Sequence, residues 1–395
     1  MAISLALIII LGLLFNKLFN KLKLPGLLGM LFLGILIGPY GLEIINTEML
    51  NISADLRKIA LIVILLRAGL GIKKDTLKKV GVPAFKLSFI PGIMEGFTVI
   101  IISTFLFNLS FIEAGILGFI IAAVSPAVVV PQMLKLINHK KGTKKGIPTL
   151  VLTGASIDDV IAITIFSTFL GLYGGSQLNI AKRILNIPIS IFIGILLGFI
   201  LAHLLIYLFK SHQIRDTKKV LIILGSAILL TGIEEYLQGR VPIAAFLGIM
   251  ALGFVLQDRY EVVGQRLASK FNKIWILAEI LLFVLIGAEV NIYLTLESGL
   301  LGLTLIFLGL LARSIGVLIS VHGTSLNWRE RFFCVIAYTP KATVQAAIGA
   351  VPLAAGVESG ELILAIAVLS IVITAPLGAV GIKFAGENWL EKEMK

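Results

Sequence analysis

Asp158 and Asp159 stand side by side in GASIDDVIAI (154–163), a stretch that is otherwise apolar or small. Paired carboxylates in such a setting can bind a hard cation through oxygen, hold protons, or answer buried basic groups. An aspartate at the centre of a membrane-spanning helix costs about 2.5–3.5 kcal/mol on the insertion scale, so two adjacent ones call for a role. Successive helical residues point ~100° apart, so the two carboxylates face different neighbours and suit different tasks. One can face a cavity and bind the cation; the other can face a basic residue. Gly154, Ala155, Ser156 and Ala162 are small enough to let another helix or a broken backbone come close. Lys341 is the natural partner for Asp158, and Ser125 offers a hydroxyl oxygen. Arg313 needs a carboxylate of its own, which Glu95 in PGIMEGFTV supplies. The Glu95–Arg313 pair reads as structural neutralisation.

Two interrupted segments position these groups. AVSPAVVVPQ (123–132) and AYTPKATVQAA (337–347) each place proline inside an apolar run. Proline removes a hydrogen bond and collides with the preceding turn. The first segment contains Ser125 and the second Lys341. A broken helix exposes unpaired amides and carbonyls, and a membrane interior tolerates these only where they line a cavity or are buried in protein.

Composition sets the frame. The chain of 395 residues is 58% hydrophobic and 14% charged, with a mean hydropathy of +1.04. Apolar runs of ~20 residues recur from end to end, the pattern of a polytopic helical membrane protein. We divide it into about thirteen helices: 2–19, 25–42, 52–71, 82–107, 112–136, 147–172, 187–209, 218–237, 241–257, 273–291, 298–321, 332–354 and 361–385. The first run has no Ala-x-Ala pattern after it and reads as a retained helix. The interrupted segments are the fifth and twelfth helices. Their odd offset inverts one unit relative to the other, giving two inverted six-helix repeats, helices 1–6 and 8–13, with helix 7 as connector. Paired interruptions at corresponding places point to a transporter's substrate site.

The formal charge of +12 follows from lysines and arginines crowded into loops on one side, so nucleic acid is not the expected partner. Loops after odd-numbered helices hold the basic runs, including Lys73, Lys140, Lys144, Lys218, Arg266 and Arg331. This places the N-terminus outside and the C-terminus in the cytoplasm of a cell-membrane protein. Arg67 and Lys86 flank a basic loop and can snorkel. The single cysteine, Cys334, and four scattered histidines offer neither a disulfide nor a resident metal centre. No cofactor and no enzymatic activity are expected.

The stretches LLRAGLGI (65–72), VSPAVVVPQML (124–134), GIPTLVLTGASIDDVIAI (146–163), LIGAEV (285–290) and PKATVQAAIG (340–349) together resemble the monovalent cation/proton antiporters. Within these, the chain is most similar to the double-aspartate branch of NHA-type Na+/H+ exchangers. The resemblance implies exchange of Na+ or Li+ for H+ by alternating access, with cation and proton competing at Asp159 and with Asp158 as its partner. It implies a homodimer whose dimerisation part (1–71 and 187–291) supports an elevator-like core (82–172 and 298–385) with crossed broken helices, and a role in pH homeostasis. Arg313 on the helix before the second break, with Lys341 in the break itself, departs from some double-aspartate relatives, and the Glu95–Arg313 pair resembles the electroneutral branch. K+/H+ exchange on the same fold is the alternative.

Other classes fit less well. An intramembrane aspartyl protease needs two aspartates on different helices facing one water. A cation channel wants rings of ligands from several subunits. An organic-anion transporter would meet repulsion from the acidic site.

The charge pattern generates a first prediction. A cysteine at position 140, in a Cys334-free background, should be protected from impermeant reagents applied outside, and one at position 177 should be labelled. External labelling at 140 reverses the orientation.

Overall fold

Apolar runs in a membrane offer their backbone no solvent partner, so each run closes its hydrogen bonds within itself as a helix. The computed structural model describes residues 1–22, 24–71, 74–173, 180–237, 241–297 and 299–392; positions 73 and 177 lie outside them. Among the described residues all extended elements are helices, beside one isolated bridge between Lys141 and Lys392.

The expected spans are recovered in order. The first four are α1 (Ala2–Lys21), α2 (Gly26–Ile37), α4 (Ser53–Gly71) and α5 (Lys74–Leu106), with a short α3 (Thr47–Asn51) before the third. The fifth is α6 (Phe111–Ile121) followed by α7 (Pro126–Asn138), and the sixth is α8 (Ile147–Tyr173). Then come α9 (Ile180–Ser211), α10 (Asp216–Tyr236), α11 (Ala245–Arg259) and α12 (Glu261–Ala288). A short α13 (Ile292–Glu297) leads into α14 (Gly299–Ser320), the eleventh span. The twelfth is split into α15 (Trp328–Ala337), α16 (Thr343–Ile348) and α17 (Val351–Ala354), and α18 (Gly360–Asn388) is the last. Among the described residues, eight helical segments are long and apolar enough to cross a membrane alone, with α6 and α7 taken together.

Several boundaries differ from expectation for local reasons. The second helix stops at Ile37 because Gly38 turns extended ahead of Pro39. The tenth begins at Glu261, so Arg266 and Lys270 ride on helical turns and not in a loop. The fourth runs back to Lys74 but bends at Gly81, whose φ of 49° suits a residue without a side chain. Pro126 opens α7 at its first turn, where a missing N–H costs nothing, and Pro131 sits inside α7. The twelfth span has a second interruption after Ile348, beyond the one at Pro340.

The chain divides into two compact units. The first comprises Met1–Ala54, Lys78–Tyr173 and Ile280–Lys395; the second comprises Asp55–Leu77 and Gly174–Glu279. In the first, a buried cluster including Leu87, Val124, Met133, Val151, Val317, Phe333 and Tyr338 joins α5, α7, α8, α14, α15 and α18. Contacts sort its connections into two ends. At one end Met1 meets Glu48, Ser53 meets Glu289, Asn291 meets Glu361, and Glu113 meets Ser359. At the other, Gly142 bonds Glu391, and Lys145 meets Glu330. Within the first unit, the described connections after the second, fourth, tenth and twelfth spans thus gather at one end, and those after the fifth, eleventh and thirteenth at the other.

The repeats also show in their caps. Ser110 with Glu113 and Asn327 with Glu330 form capping boxes that start α6 and α15, the equivalent half-helices. Glu113 accepts from Ser359 (2.8 Å), just ahead of α18, and Glu330 from Lys145 (2.7 Å), just ahead of α8. Each half thus clasps the entry to the other half's sixth span.

In the second unit α9 and α11 pack backbone to backbone. A side-chain carbon at Gly198 would lie 2.1 Å from the Gly248 carbonyl oxygen, and one at Gly194 2.3 Å from that of Ala244. Small residues four apart allow this approach, as is common between membrane helices. Arg67, in the same unit, is half-buried over Trp275. Gly198→Ile should therefore lower the unfolding temperature of the purified protein, at an overpacking cost of about 1–3 kcal/mol. Gly225→Ala on α10, where nothing lies within 4 Å, should not. Equal unfolding temperatures for Gly198→Ile and the unmodified protein refute the packing account.

Candidate functional site

The two breaks meet inside the first unit. α6 ends at Ile121 and α7 starts at Pro126; α15 ends at Ala337 and α16 starts at Thr343. Each gap strands carbonyls at the end of one half-helix and amides at the start of the next. Because water is scarce there, the protein must supply partners.

One link is direct: the Ser125 amide donates to the Pro340 carbonyl at 2.8 Å. The Thr343 amide donates to Ser125 Oγ at 3.4 Å, and the two hydroxyls are also 3.4 Å apart. Thr374 on α18 accepts from the Lys341 amide at 2.8 Å. Gln345 Nε2 donates to the carbonyls of Ile120 and Ala123, both at 2.9 Å, covering the end of α6.

Arg313 closes most of what remains. Its Nε donates to the Tyr338 carbonyl at 2.7 Å, Nη1 to Glu95 at 2.6 Å, and Nη2 to Asp158 at 2.6 Å. Nη1 also donates to the Ala122 carbonyl. The guanidinium therefore touches a carbonyl in each break and a carboxylate on each of α5 and α8. Asp158 Oδ2 also accepts from the Val124 amide at 3.0 Å, so it satisfies a donor in the first break, ahead of α7. Both Arg313 and Asp158 are 1% exposed, so this charge-assisted network lies out of solvent.

The sequence-derived Glu95–Arg313 contact is present. The expected Lys341–Asp158 pair is not what holds the lysine: Lys341 Nζ lies 2.6 Å from Glu95 Oε2, the oxygen that Arg313 also uses. The reason is geometric. Arg313 and the Val124 amide already meet at Asp158 Oδ2, whereas Glu95 stands where α5 reaches both cations. Ser125 is placed at the crossing, with its hydroxyl on Thr343.

Asp159 differs from its neighbour. It is 6% exposed, and its Oδ1, like that of Asp158, has no hydrogen-bond partner among the described residues; the difference lies in the ion pairs. None of the ion pairs among the described residues engages it, whereas Asp158 and Glu95 are both paired. Gly92 keeps the space beside Asp158 open: a carbon there would lie 2.9 Å from Oδ1.

Sequence reasoning missed Tyr338, Thr343, Gln345, Gly92 and Thr374. Tyr338 supplies a carbonyl to Arg313, and its phenol oxygen packs against Gly154, where a side-chain carbon would lie only 2.0 Å away. Gln345 had a signal, a polar amide in the apolar run beside Pro340. Thr374 had none, since a threonine inside a long helix usually bonds its own preceding turn, as this one also does to Ser370.

The sequence matches the family described as sodium/hydrogen exchanger, transmembrane, over residues 4–387. It is 35% identical over 401 residues to the Mus musculus protein named sodium/hydrogen exchanger 9B2, covering 95% of this chain and 72% of that one. It is 33% identical over 386 residues to the Homo sapiens sodium/hydrogen exchanger 9B1, covering 93% and 73%. The solved structure of the sodium proton antiporter MjNhaP1 from Methanocaldococcus jannaschii at pH 8 has a TM-score of 0.83 to this fold, at 22% identity and 97% coverage of both chains.

The network's dependence on one side chain generates a prediction. Arg313→Ala leaves Glu95 and Asp158 short of a counter-charge and two carbonyls unpaired, so it should destabilise the protein by about 3–5 kcal/mol. Arg313→Lys should also fail to restore stability, because one ammonium cannot reproduce a planar fork with four acceptors. Thermal unfolding in detergent checks both. A fully stable Arg313→Ala protein would show that the guanidinium is not the structural hub.

Proposed function

The chain belongs to the sodium/hydrogen exchanger family and is a sodium/proton antiporter, and from that premise we propose that Na+ and H+ compete for the carboxylate of Asp159. The supporting observation is the division between the adjacent aspartates. Asp158 is committed through Oδ2 to Arg313 and to the Val124 amide, whereas Asp159 is buried and joins no ion pair among the described residues; the Oδ1 of each is unpartnered. A carboxylate oxygen suits a hard cation such as Na+ or Li+, and the same oxygen takes a proton.

The surrounding charges give the competition its consequence. Glu95, Asp158 and Asp159 face two cations, Arg313 and Lys341. With all five ionised, one negative charge is in excess. A single Na+ or a single H+ at Asp159 cancels it. The occupied core is then close to neutral and crosses the dry barrier, while the empty core carries an uncompensated charge whose desolvation is costly. Exchange follows from that difference, and leak is suppressed by it. The stoichiometry on this reading is one proton per sodium, because the other four charges stay within the network. Ser125, whose hydroxyl meets Thr343 at the crossing of the breaks, adds a second oxygen ligand on this reading.

Alternating access is carried by an elevator-like core of residues 82–172 and 298–385 against a dimerisation part of 1–71 and 187–291 in a homodimer. The basic end of the first unit, with Lys141, Lys145 and Arg331, faces the cytoplasm together with the C-terminus. The end rich in Glu48, Glu113, Glu289 and Glu361 faces outside with the N-terminus. Exchange of this kind in the cell membrane serves pH and sodium homeostasis.

Proteoliposomes with a pH-reporting dye test the reading. Asp159→Asn should abolish exchange while the protein still elutes and unfolds as the unmodified protein does. Apparent Na+ affinity should weaken as pH falls, by up to about tenfold per unit below the pKa of the site, because protonation removes the ligand. An imposed membrane potential should leave the exchange rate unchanged. Exchange at a normal rate by Asp159→Asn would refute the assignment; rates that follow the potential would refute the stoichiometry alone.

A further inference from the structure

The outer flank of α14 carries a feature that ion exchange does not use. A cavity of about 440 Å³ opens between this helix, the start of the membrane part of α5, and the connection leading into α15. Its wall is apolar: Ile315, Leu318 and Ile319 form a stripe on α14 at helical spacing, and Trp328 completes it. Ile315 is 53% exposed, Ile319 47% and Trp328 67%. The opposite face of the same helix is buried and holds Arg313.

The rim has the opposite character. Lys86, His322 and Arg331 line it, and no carboxylate does so among the described residues. The nearest acid in sequence, Glu330, is buried and turned to Lys145 and the Asn327 amide. Arg331 is pre-ordered: its Nε donates to the Leu326 carbonyl at 3.0 Å, its Nη2 to that of Thr324 at 3.4 Å, and its guanidinium lies 5.4 Å from the Trp328 ring. Two basic side chains, Lys86 and Arg331, with no counter-ion among the described residues therefore sit beside an exposed apolar groove, with an indole at the boundary.

We propose that this cavity binds an anionic phospholipid, its phosphate on Lys86 and Arg331 and an acyl chain along Ile315 and Ile319. The charge complementarity selects an anionic headgroup over a zwitterionic one, and the apolar wall selects a lipid over a free phosphate. Tryptophan at the level of the headgroups fits the same placement. The three elements that the lipid touches are those that build the charge network: α5 carries Glu95, α14 carries Arg313, and α15 ends beside Tyr338. A bound lipid would brace them at one end while Arg313 joins them in the middle.

The test uses the full chain in detergent with three probes: dioleoyl-phosphatidylglycerol, dioleoyl-phosphatidylcholine and soluble glycerol phosphate. Phosphatidylglycerol should stay bound in native mass spectrometry and raise the unfolding temperature by about 5 °C, as expected for a ligand well above its dissociation constant. The other two should not. Lys86→Glu, an exposed position clear of the Arg331 brace, should lose most of that shift. Ile319→Trp should lose it too, by filling the wall while leaving both charges. Lys270→Glu, a basic residue of the second unit, should keep it. Retention of the full shift in both Lys86→Glu and Ile319→Trp overturns the proposal. A shift produced equally by glycerol phosphate would make the site a phosphate site, and dissociation of a dimer by Ile319→Trp would make this face a protein interface; either result also overturns it.

Discussion

Arg313 is the side chain on which the architecture turns. Two broken helices crossing in a dry interior leave more backbone polar groups than they can satisfy between themselves. Ser125 and Pro340 answer each other directly, but Ala122 and Tyr338 still present carbonyls, and two carboxylates stand close by. A guanidinium has five donors in a fixed plane, and this one directs them to four acceptors from α5, α6, α8 and the end of α15. The requirement propagates outward. α14 must bury the face that carries Arg313, which Gly309 and Gly316 allow by admitting α5 closely; a carbon at Gly316 would lie 2.8 Å from the backbone of Pro91.

That commitment gives the two adjacent aspartates different surroundings. On the proposed reading, a single carboxylate asked both to answer Arg313 and to capture a substrate cation would have to break a buried, charge-assisted contact in each cycle, at a cost of several kcal/mol. The pair separates the duties through the geometry of the helix. Asp158 is turned toward the break as an internal counter-ion and the acceptor of the Val124 amide. Asp159, ~100° further round the helix, is left without a fixed positive partner. Lys341 bound to Glu95 serves the same separation, because its charge is moored to α5 and not to Asp159.

Legibility in the sequence followed the kind of physics involved. Hydropathy depends on composition over many residues, so the spans and their order could be read from the sequence alone. The breaks were marked by Pro126 and Pro340, and the Glu95–Arg313 contact by the scarcity of buried charge. What could not be read depends on backbone direction. Asp158 faces Arg313 and not Lys341 because the Val124 amide and the guanidinium converge on one oxygen, a matter of angles that no spacing encodes. Thr374 and Gln345 serve carbonyls and amides whose exposure exists only once the helices are broken. The early start of α12 was hidden by its own charges, because Arg266 and Lys270 resemble loop residues until their helical turn is seen.

The inverted repeat is followed in backbone but not in chemistry, and this matters for a machine with two sides. The half-helices α6 and α15 both start with a capping box, and in both the capping glutamate reaches across to the entry of the opposite repeat's sixth span. At one end the partner is the hydroxyl of Ser359, with its amide at 3.3 Å. At the other it is the ammonium of Lys145, on a carboxylate that is only 2% exposed. A neutral hydroxyl contact is indifferent to ionic strength, whereas an ion pair whose lysine reaches solvent weakens as salt rises. Two clasps that are equivalent by fold therefore hold with different strength and different sensitivity. A perfectly symmetric pair would give the two ends equal stability; unlike partners at equivalent positions let one sequence hold its two ends differently while keeping the repeated architecture.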